Sequence, residues 1–255
     1  MEVPPERLVS WIVTFTERHG GPLAVSPADP AADRGSVTFT AADGAAAECH
    51  VPFPPLSARL PSPPLRAGPP PSPSPRAGSG EQGATGPDAL SAAGAIAAHA
   101  AADRTVGVLL VRLGGYAVGV FSGVPPHLDA SKTGRRLVHG RSAAGGWSQH
   151  RFARRRENQA AAALGAAADA AAGIFGPYGA DGLDAVVLGG DKRSIAGLRD
   201  DARLAPYLGR ATDRFLTVPD PSPAVLKGIP PVYQAIRIRL TEPEPDGPPR
   251  AGHVQ

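Results

Sequence analysis

One short stretch of the chain holds the side chains best suited to chemistry on a polyanion. Residues 140–159 read GRSAAGGWSQHRFARRRENQ, so a glycine pair leads into an arginine-rich run. Gln149 is the candidate catalytic residue. An amide cannot take up a proton, but it can orient a water molecule and donate a hydrogen bond to developing negative charge. The chemistry expected of this stretch is therefore positional and electrostatic.

Positive charge is concentrated around this stretch. The net charge is only +3, whereas the isoelectric point is about 9.3, so the location of the charge matters more than its sum. Eight basic residues, with no Asp or Glu among them, lie between positions 132 and 156: Lys132, Arg135, Arg136, Arg141, Arg151, Arg154, Arg155 and Arg156. His139 and His150 are interpreted as further phosphate contacts. The pattern predicts binding to a nucleic-acid backbone without base reading.

Other nucleophiles fit the sequence poorly. Ser148 is not an elbow serine, because the required glycine two positions later is replaced by His150. We interpret Ser148 as the N-cap of the helix that follows. Cys49, the single cysteine, has no base nearby and is interpreted as a buried structural residue. No Cys/His spacing resembles a zinc site, so neither a metal nor a cofactor is expected.

Two further motifs have ordinary structural interpretations. LGGDKRS at 188–194 looks like a phosphate-binding turn but lacks the glycine-to-lysine spacing of a P-loop, so Asp191 is interpreted as a helix cap. Asp200 and Asp201 are adjacent acids on a predicted solvated helix face. Neither motif predicts an acid–base pair.

The first part of the chain predicts a small α+β unit over residues 1–60. Residues 5–19 have apolar side chains at helical spacing, and Gly20-Gly21 ends the pattern. Residues 36–53 alternate on both sides of Asp43-Gly44, which favours a hairpin. Residues 61–88 contain 9 Pro, 5 Gly and 4 Ser, which predicts a disordered linker, with a proline-rich ligand segment as the alternative.

The main domain is predicted over residues 89–241. Two apolar strands surround Gly114-Gly115, residues 127–147 form a basic loop, and a helix runs from Ser148 to Gly176-Pro177. Its core face is predicted to hold five residues: Ala160, Leu164, Ala167, Ala171 and Ile174. A helix over 194–208, broken at Pro206, alternates with three predicted strands. The strands are 183–190, 214–218 and 233–240.

This alternation is typical of a layered α/β domain. Residues 242–255 are predicted to be a disordered tail. No window approaches 18 uninterrupted apolar residues and the start lacks a signal-peptide pattern, so a cytoplasmic protein without a membrane partner is expected.

The basic stretch resembles the central domain of eukaryotic and archaeal class I peptide-chain release factors. In that family Gly-Gly-Gln-Ser precedes an Arg-Phe-Ala-Arg helix start. Gly145, Gly146 and Ser148 match the loop, residues 151–154 match the helix start, and Trp147 stands where the family has its catalytic glutamine. The altered loop resembles Vms-type peptidyl-tRNA hydrolases of ribosome quality control and their actinobacterial relatives, the Vms-like release factors.

The resemblance covers about residues 1–55 and 100–240 and implies both a fold and a function. The fold would be similar to ribonuclease H, an α/β layer around a mixed sheet. The protein would enter a stalled ribosome or large subunit, place its glycine tip in the peptidyl-transferase centre and release the nascent chain from tRNA. The implied catalytic set is Gly145, Gly146, Trp147, Ser148 and Gln149, with the basic residues on tRNA or ribosomal RNA phosphates. Glycines allow close backbone approach to the CCA end.

Three alternatives stay open at this point. Gln149 could position water to hydrolyse the peptidyl-tRNA ester, or the tRNA itself could be cut near its CCA end. Trp147 could stack on a terminal base or pack locally. A non-enzymatic ribosome- or RNA-binding factor would keep the basic helix and lack the chemistry.

Overall fold

The computed structural model describes residues 1–27, 35–56, 87–112, 115–135 and 149–243, with 149–158 described by their backbone only. Two compact units make up the chain. The first comprises residues 1–100 and 235–255, and the second residues 101–234. Each unit is built on a five-stranded sheet.

The sheet of the first unit is antiparallel throughout. Its strands, in the order β1-β10-β4-β3-β2 across the sheet, are Glu2–Val3, Ile236–Thr241, Ala46–His50, Ser36–Thr40 and Ala24–Pro27. The predicted hairpin is confirmed: β3 and β4 flank Asp43-Gly44, and Gly44 has the positive φ of 91° that glycine tolerates.

Two helices complete the first unit. The predicted N-terminal helix is confirmed as a 3-10 turn, Pro5–Arg7, followed by α1, Leu8–His19. Leu8, Ile12 and Phe15 are buried as their spacing predicts. Helix α2, Pro87–Ala101, adds small side chains and Ile96 to the same core.

The second unit is an α/β layer on a mixed sheet, which confirms the predicted class. Strand order is β7-β6-β5-β8-β9: His127–Arg135, Gly115–Ser122, Val106–Arg112, Ala185–Gly190 and Ala211–Leu216. Strands β5, β6 and β7 pair antiparallel, whereas β8 and β9 continue the sheet parallel to β5. Its helices are α3 Gln149–Phe175, α4 Lys192–Leu198, α5 Ala205–Leu208, α6 Pro223–Lys227 and α7 Pro230–Gln234, with a 3-10 turn at Gly176–Tyr178.

Helix α3 lies against this sheet through the predicted face, which is wider than predicted. Ala167 and Ala171 are buried, and Leu164 and Ile174 pack against the core, whereas Ala160 is exposed. Four further residues of this helix are buried: Ala163, Ala168, Ala170 and Phe175. Small residues surround much of this helix, so periodicity alone does not give the width of its buried face. Residues Gln159–Tyr178 also pass a length and hydropathy test for a membrane span. That is weak evidence, because a core helix of a soluble protein passes the same test.

Three local predictions in the second unit need correction. Much of the predicted basic loop, residues 127–135, is strand β7, whose half-exposed edge position removes the apolar alternation that would signal a strand. The predicted helix 194–208 is two short helices, and Pro206 lies in the first turn of α5 rather than breaking a longer helix. Asp200 and Asp201 occupy the turn between them.

The two compact units also differ from the predicted domains. The predicted main domain includes β10, but this strand pairs with β4 of the first unit, with Ile238 opposite Cys49. Helix α2 belongs to the first core as far as Ala100, so Pro87 and Asp88 are helical rather than linker. Local patterns reveal strands but not their pairing partners, which is why the pattern of β10 does not show the sheet that it joins. The remaining linker prediction, 61–86, and tail residues 244–255 lie outside the described residues.

Candidate functional site

Four strand ends meet at one edge of the second sheet. Strands β5, β7, β8 and β9 point the same way, so their last residues, Arg112, Arg135, Gly190 and Leu216, lie at what we call the carboxyl edge. In open α/β sheets, ligands bind outside the carboxyl ends of the strands. Residues 136–156, which we call the basic segment, follow β7 directly along the chain.

Helix α3 packs across the sheet, and the position of its last residue gives its direction. Its last residue, Phe175, lies beside Gly107 near the beginning of β5, where an added Cβ would approach the ring to 3.1 Å. The helix therefore runs from the carboxyl edge toward the amino ends of the strands. Residues 136–148 connect β7 to α3 along the chain and lie outside the described residues.

Helix α3 is described from Gln149 onward, so a helix is present over most of the range predicted for it, whereas its predicted start at Ser148 lies outside the described residues. Ala163 is the first buried residue described along α3. At 1.5 Å per residue, Gln149 precedes Ala163 by about 21 Å of helix. The arginine-rich positions thus precede the part of the helix that packs in the core.

The structure does not test the predicted catalytic set. The glycine tip and several basic residues lie outside the described residues: Gly145, Gly146, Trp147, Ser148, Arg136, His139 and Arg141. The same holds for the side chains of Gln149, His150, Arg151, Arg154, Arg155 and Arg156. The roles assigned to these residues, including the Ser148 cap, stay predictions.

Lys132 and Arg135 are the two predicted basic residues whose side chains are described, and they lie on opposite faces of β7. Lys132 is opposite Val118, which is buried in the core beneath α3. Arg135 is opposite Gly115, where an added Cβ would contact Pro221 on the other face. A strand alternates its side chains, so residues three apart must diverge. The basic residues therefore do not form one continuous surface on the strand.

Arg135 shares an acidic partner with a residue that sequence reasoning missed. Asp220 lies between Arg112 and Arg135, with its oxygens 3.8 Å from Arg112 Nε and 3.6 Å from Arg135 Nη2. Arg112 Nη1 also donates a hydrogen bond to the carbonyl oxygen of Val218 at 2.8 Å. The basic end of an apolar strand could have drawn attention to Arg112, but only the strand register brings it toward Arg135.

The turn at 188–194 is a helix cap, as predicted. Asp191 accepts hydrogen bonds from the backbone N–H groups of Arg193 and Ser194 and from the Ser194 hydroxyl. The Ser194 hydroxyl is the main cause of the lowered pKa of the Asp191 carboxyl. Gly190 precedes it with φ 102°, and a Cβ there would overlap the Val111 carbonyl oxygen. The glycine is required by backbone geometry.

A groove of about 450 Å³ lies between α4 and the edge strand β9. Its lining mixes apolar residues with Lys192, Arg199, Thr212 and Asp213. Lys192 Nζ is 5.7 Å from the centroid of the Phe215 ring. Of the predicted RNA-binding residues whose side chains are described, neither Lys132 nor Arg135 lines this groove. Strand β9 is the opposite edge strand from β7, so the sheet separates the groove from Lys132 and Arg135.

Cys49 is fully buried on β4, as predicted, and burial raises the pKa of its thiol to about 12. A thiol in this state is a poor nucleophile at neutral pH. Within the ranges that the structure describes, no group of three or more His, Cys, Asp or Glu side chains could hold a metal ion.

Comparison with known proteins gives a family match that lies mainly in the second unit. A family model described as Actinobacteria/chloroflexi VLRF1 release factor matches residues 104–239. The match begins just before β5, includes all of the basic region 132–156 and ends within β10. No curated protein sequence gives a significant match to the chain.

Proposed function

The chain belongs to the Actinobacteria/chloroflexi VLRF1 release factor family, and from this premise we propose that it frees nascent chains from peptidyl-tRNA on stalled ribosomes or large subunits. The family implies a role in translation, an interaction with the ribosome and, in general terms, hydrolysis of the peptidyl-tRNA ester. The stalled substrate, the peptidyl-transferase centre as target and the residues that act there belong to the proposal.

One observation carries the proposal. Residues 136–148 join the carboxyl end of β7 to a 27-residue helix that begins at Gln149. This connection includes Gly145-Gly146, and arginines occupy the two helical turns that follow it. A segment held at both ends by a sheet and a long helix can present its tip while the framework stays rigid. The arrangement supports insertion of a glycine tip into a narrow RNA-lined site.

The proposed roles follow from the chemistry of each residue type. Gly145 and Gly146 allow the backbone to approach the CCA end closely. Gln149 orients the attacking water, and Trp147 stacks on a terminal base. The arginines of the early α3 turns bind RNA phosphates. The partial positive charge of the helix N-terminus adds to this electrostatic attraction.

We also propose a ribonuclease H-like fold for the second unit. The mixed five-stranded sheet, with an antiparallel β5–β6–β7 meander and parallel β8 and β9, supports it. Helix α3 on one face provides the α/β layer that the resemblance implies. A protein acting on ribosomes in this way would work in the cytoplasm.

The test is a release assay with stalled ribosomal complexes that carry labelled peptidyl-tRNA. Wild type should release the peptide, and Gln149→Ala should lower the rate by about 100-fold or more, the scale of losing one catalytic hydrogen-bonding group. Gln159→Ala is the matched control, because it removes the same amide ten residues along the same helix. It should release peptide at the wild-type rate.

Mapping the tRNA 3′ end after release separates two chemistries. An intact CCA end supports ester hydrolysis. A shortened end would assign tRNA cleavage, the alternative favoured by Trp147 standing at the position of the family's glutamine. Ribosome binding without release by wild type would contradict the enzyme and leave a non-enzymatic binding factor.

A further inference from the structure

We propose that Arg112, Gly115 and Arg135 form a notch that binds one phosphate group of an RNA chain, and that Asp220 occupies this notch in the free protein. The site lies entirely within described residues of the second unit. It rests on the proposed function only in that tRNA or ribosomal RNA supplies the phosphate.

The strand register builds the notch. Arg112 of β5 is opposite Gly115 of β6, and Gly115 is opposite Arg135 of β7. Residues directly opposite one another project from the same face of a sheet. Two guanidinium groups therefore rise from the first and third of three adjacent strands, about 10 Å apart at the backbone. The middle strand carries a glycine at that position.

Gly115 keeps the space between the arginines open. An added Cβ at this position would lie 3.7 Å from Pro221 Cδ and 3.8 Å from Arg135 Cγ. Any larger side chain would enter the space into which both arginines and the 220–221 segment project. The glycine thus leaves room for an anion between two cations.

An anionic group of this chain already lies between them. The Asp220 carboxylate pairs with Arg112 at 3.8 Å and with Arg135 at 3.6 Å. Both distances exceed those of a close charge-assisted hydrogen bond, about 2.7–2.9 Å. All three side chains are at least 40% exposed, and an exposed pair of this kind contributes about 1 kcal/mol or less. Such contacts can be exchanged for a solvent-borne anion.

A phosphodiester fits the vacated position better than the carboxylate does. Guanidinium forks match phosphate oxygens in pairs, and two arginines can share one phosphate. Arg112 is held in place by its 2.8 Å bond to the Val218 carbonyl oxygen, so part of its ordering cost is met before RNA binds. Arg135 is followed directly by Arg136 in the basic segment. The notch would therefore extend the phosphate-binding track from the segment onto the sheet.

The test measures binding of full-length protein to a fluorescently labelled deacylated tRNA by anisotropy across a salt series. Asp220→Asn should tighten binding about three- to tenfold, because the competing carboxylate is removed and both arginines are freed. The slope of log K against log salt should steepen by about 0.7–0.9, the value of one added phosphate contact.

Asp181→Asn is the matched control. It makes the same charge change and frees Arg210 from its ion pair, but it precedes β8 and so lies toward the amino ends of the strands. A similar gain from Asp181→Asn and Asp220→Asn would assign the effect to net charge and overturn the notch.

A double variant gives the decisive comparison. In an Arg135→Gln background, which leaves the Arg112–Val218 bond intact, Asp220→Asn should lose most of its gain. An undiminished gain in that background would also overturn the proposal. Release activity is read separately: a notch effect without peptide release would contradict the proposed function alone, and release without a notch effect would contradict this inference alone.

Discussion

The two five-stranded sheets differ in strand direction, and only the sheet of the second unit brings several carboxyl strand ends together at a candidate site. In the first unit every pair is antiparallel, so its strand ends alternate between the two edges. In the second, four of five strands point the same way and collect Arg112 and Arg135 at one edge. A shared strand direction brings residues distant in sequence to one place.

The two units also differ in where positive charge is concentrated along the sequence. In the first unit, His19 lies 2.9 Å from Asp43, and His50 lies 3.5 Å from Glu48 within the sheet. In the second, positive charge gathers between positions 132 and 156, where the sequence has no acid. The family match over residues 104–239 covers the second unit and only the end of the first. The comparison predicts that the two units can be perturbed separately.

The largest expected effects on stability come from removing one buried aromatic ring from each core in turn. Phe39 is fully buried in the first unit and Phe175 in the second. Each Phe→Ala change should lower the free energy of unfolding of its own unit by about 3–5 kcal/mol, because a cavity replaces the ring. Thermal unfolding followed by calorimetry measures the loss, and tRNA binding reports on the second unit. Equal loss of tRNA binding in both variants would contradict separate units.

Two glycines with positive φ give a smaller and more selective effect. Gly190→Ala should destabilise the second unit by about 3 kcal/mol, since φ is 102° and the new Cβ would overlap the Val111 carbonyl oxygen. Gly44→Ala is the control in the first unit. Its φ is 91° but nothing lies within 4 Å of an added Cβ, so only the strain of about 1 kcal/mol is expected. Urea unfolding curves that rank them in the reverse order would contradict this account.

The Asp191 cap should contribute less, and its contribution should depend on pH. Asp191→Ala should cost about 1 kcal/mol at neutral pH by removing the N-cap of α4. The pKa of Asp191 is lowered from its ordinary value of 3.8, chiefly by the Ser194 hydroxyl. A lowered pKa stabilises the folded state above pH 3.8, and this stabilisation is lost as the pH falls through the folded value. Unfolding curves of wild type and variant should therefore converge in acid. A gap that widened on acidification would contradict the cap.

The smallest perturbation is chemical labelling of Cys49. The thiol is fully buried and its pKa is raised to about 12, so native protein at pH 8 should react with iodoacetamide far more slowly than unfolded protein. Because it is the single cysteine, its labelling rate reports on opening of the first unit. Phe39→Ala should accelerate labelling, whereas Phe175→Ala should leave the rate near that of wild type. Rapid labelling of native wild type would contradict the burial.

Local sequence signals predicted the elements that depend on neighbouring residues. Three examples depend on residues within a few positions of one another: the Asp43-Gly44 hairpin, the apolar spacing of α1 and the Asp191 cap. The same is true of the release-factor resemblance, which is confirmed at the level of the family. Its catalytic residues stay predictions, because the glycine tip and the side chains beside it are outside the described residues.

What the sequence by itself determined is therefore the class of the protein, the position of its basic segment and the identity of its local turns and caps. Only the tertiary structure decided that β10 joins the first sheet, that 127–135 is an edge strand and that Asp220 lies between Arg112 and Arg135. The physical reason is that strand pairing joins backbone groups far apart along the chain, and the same alternating pattern is compatible with many partners. Residues 112, 135 and 220 can share a site only after register and direction are fixed.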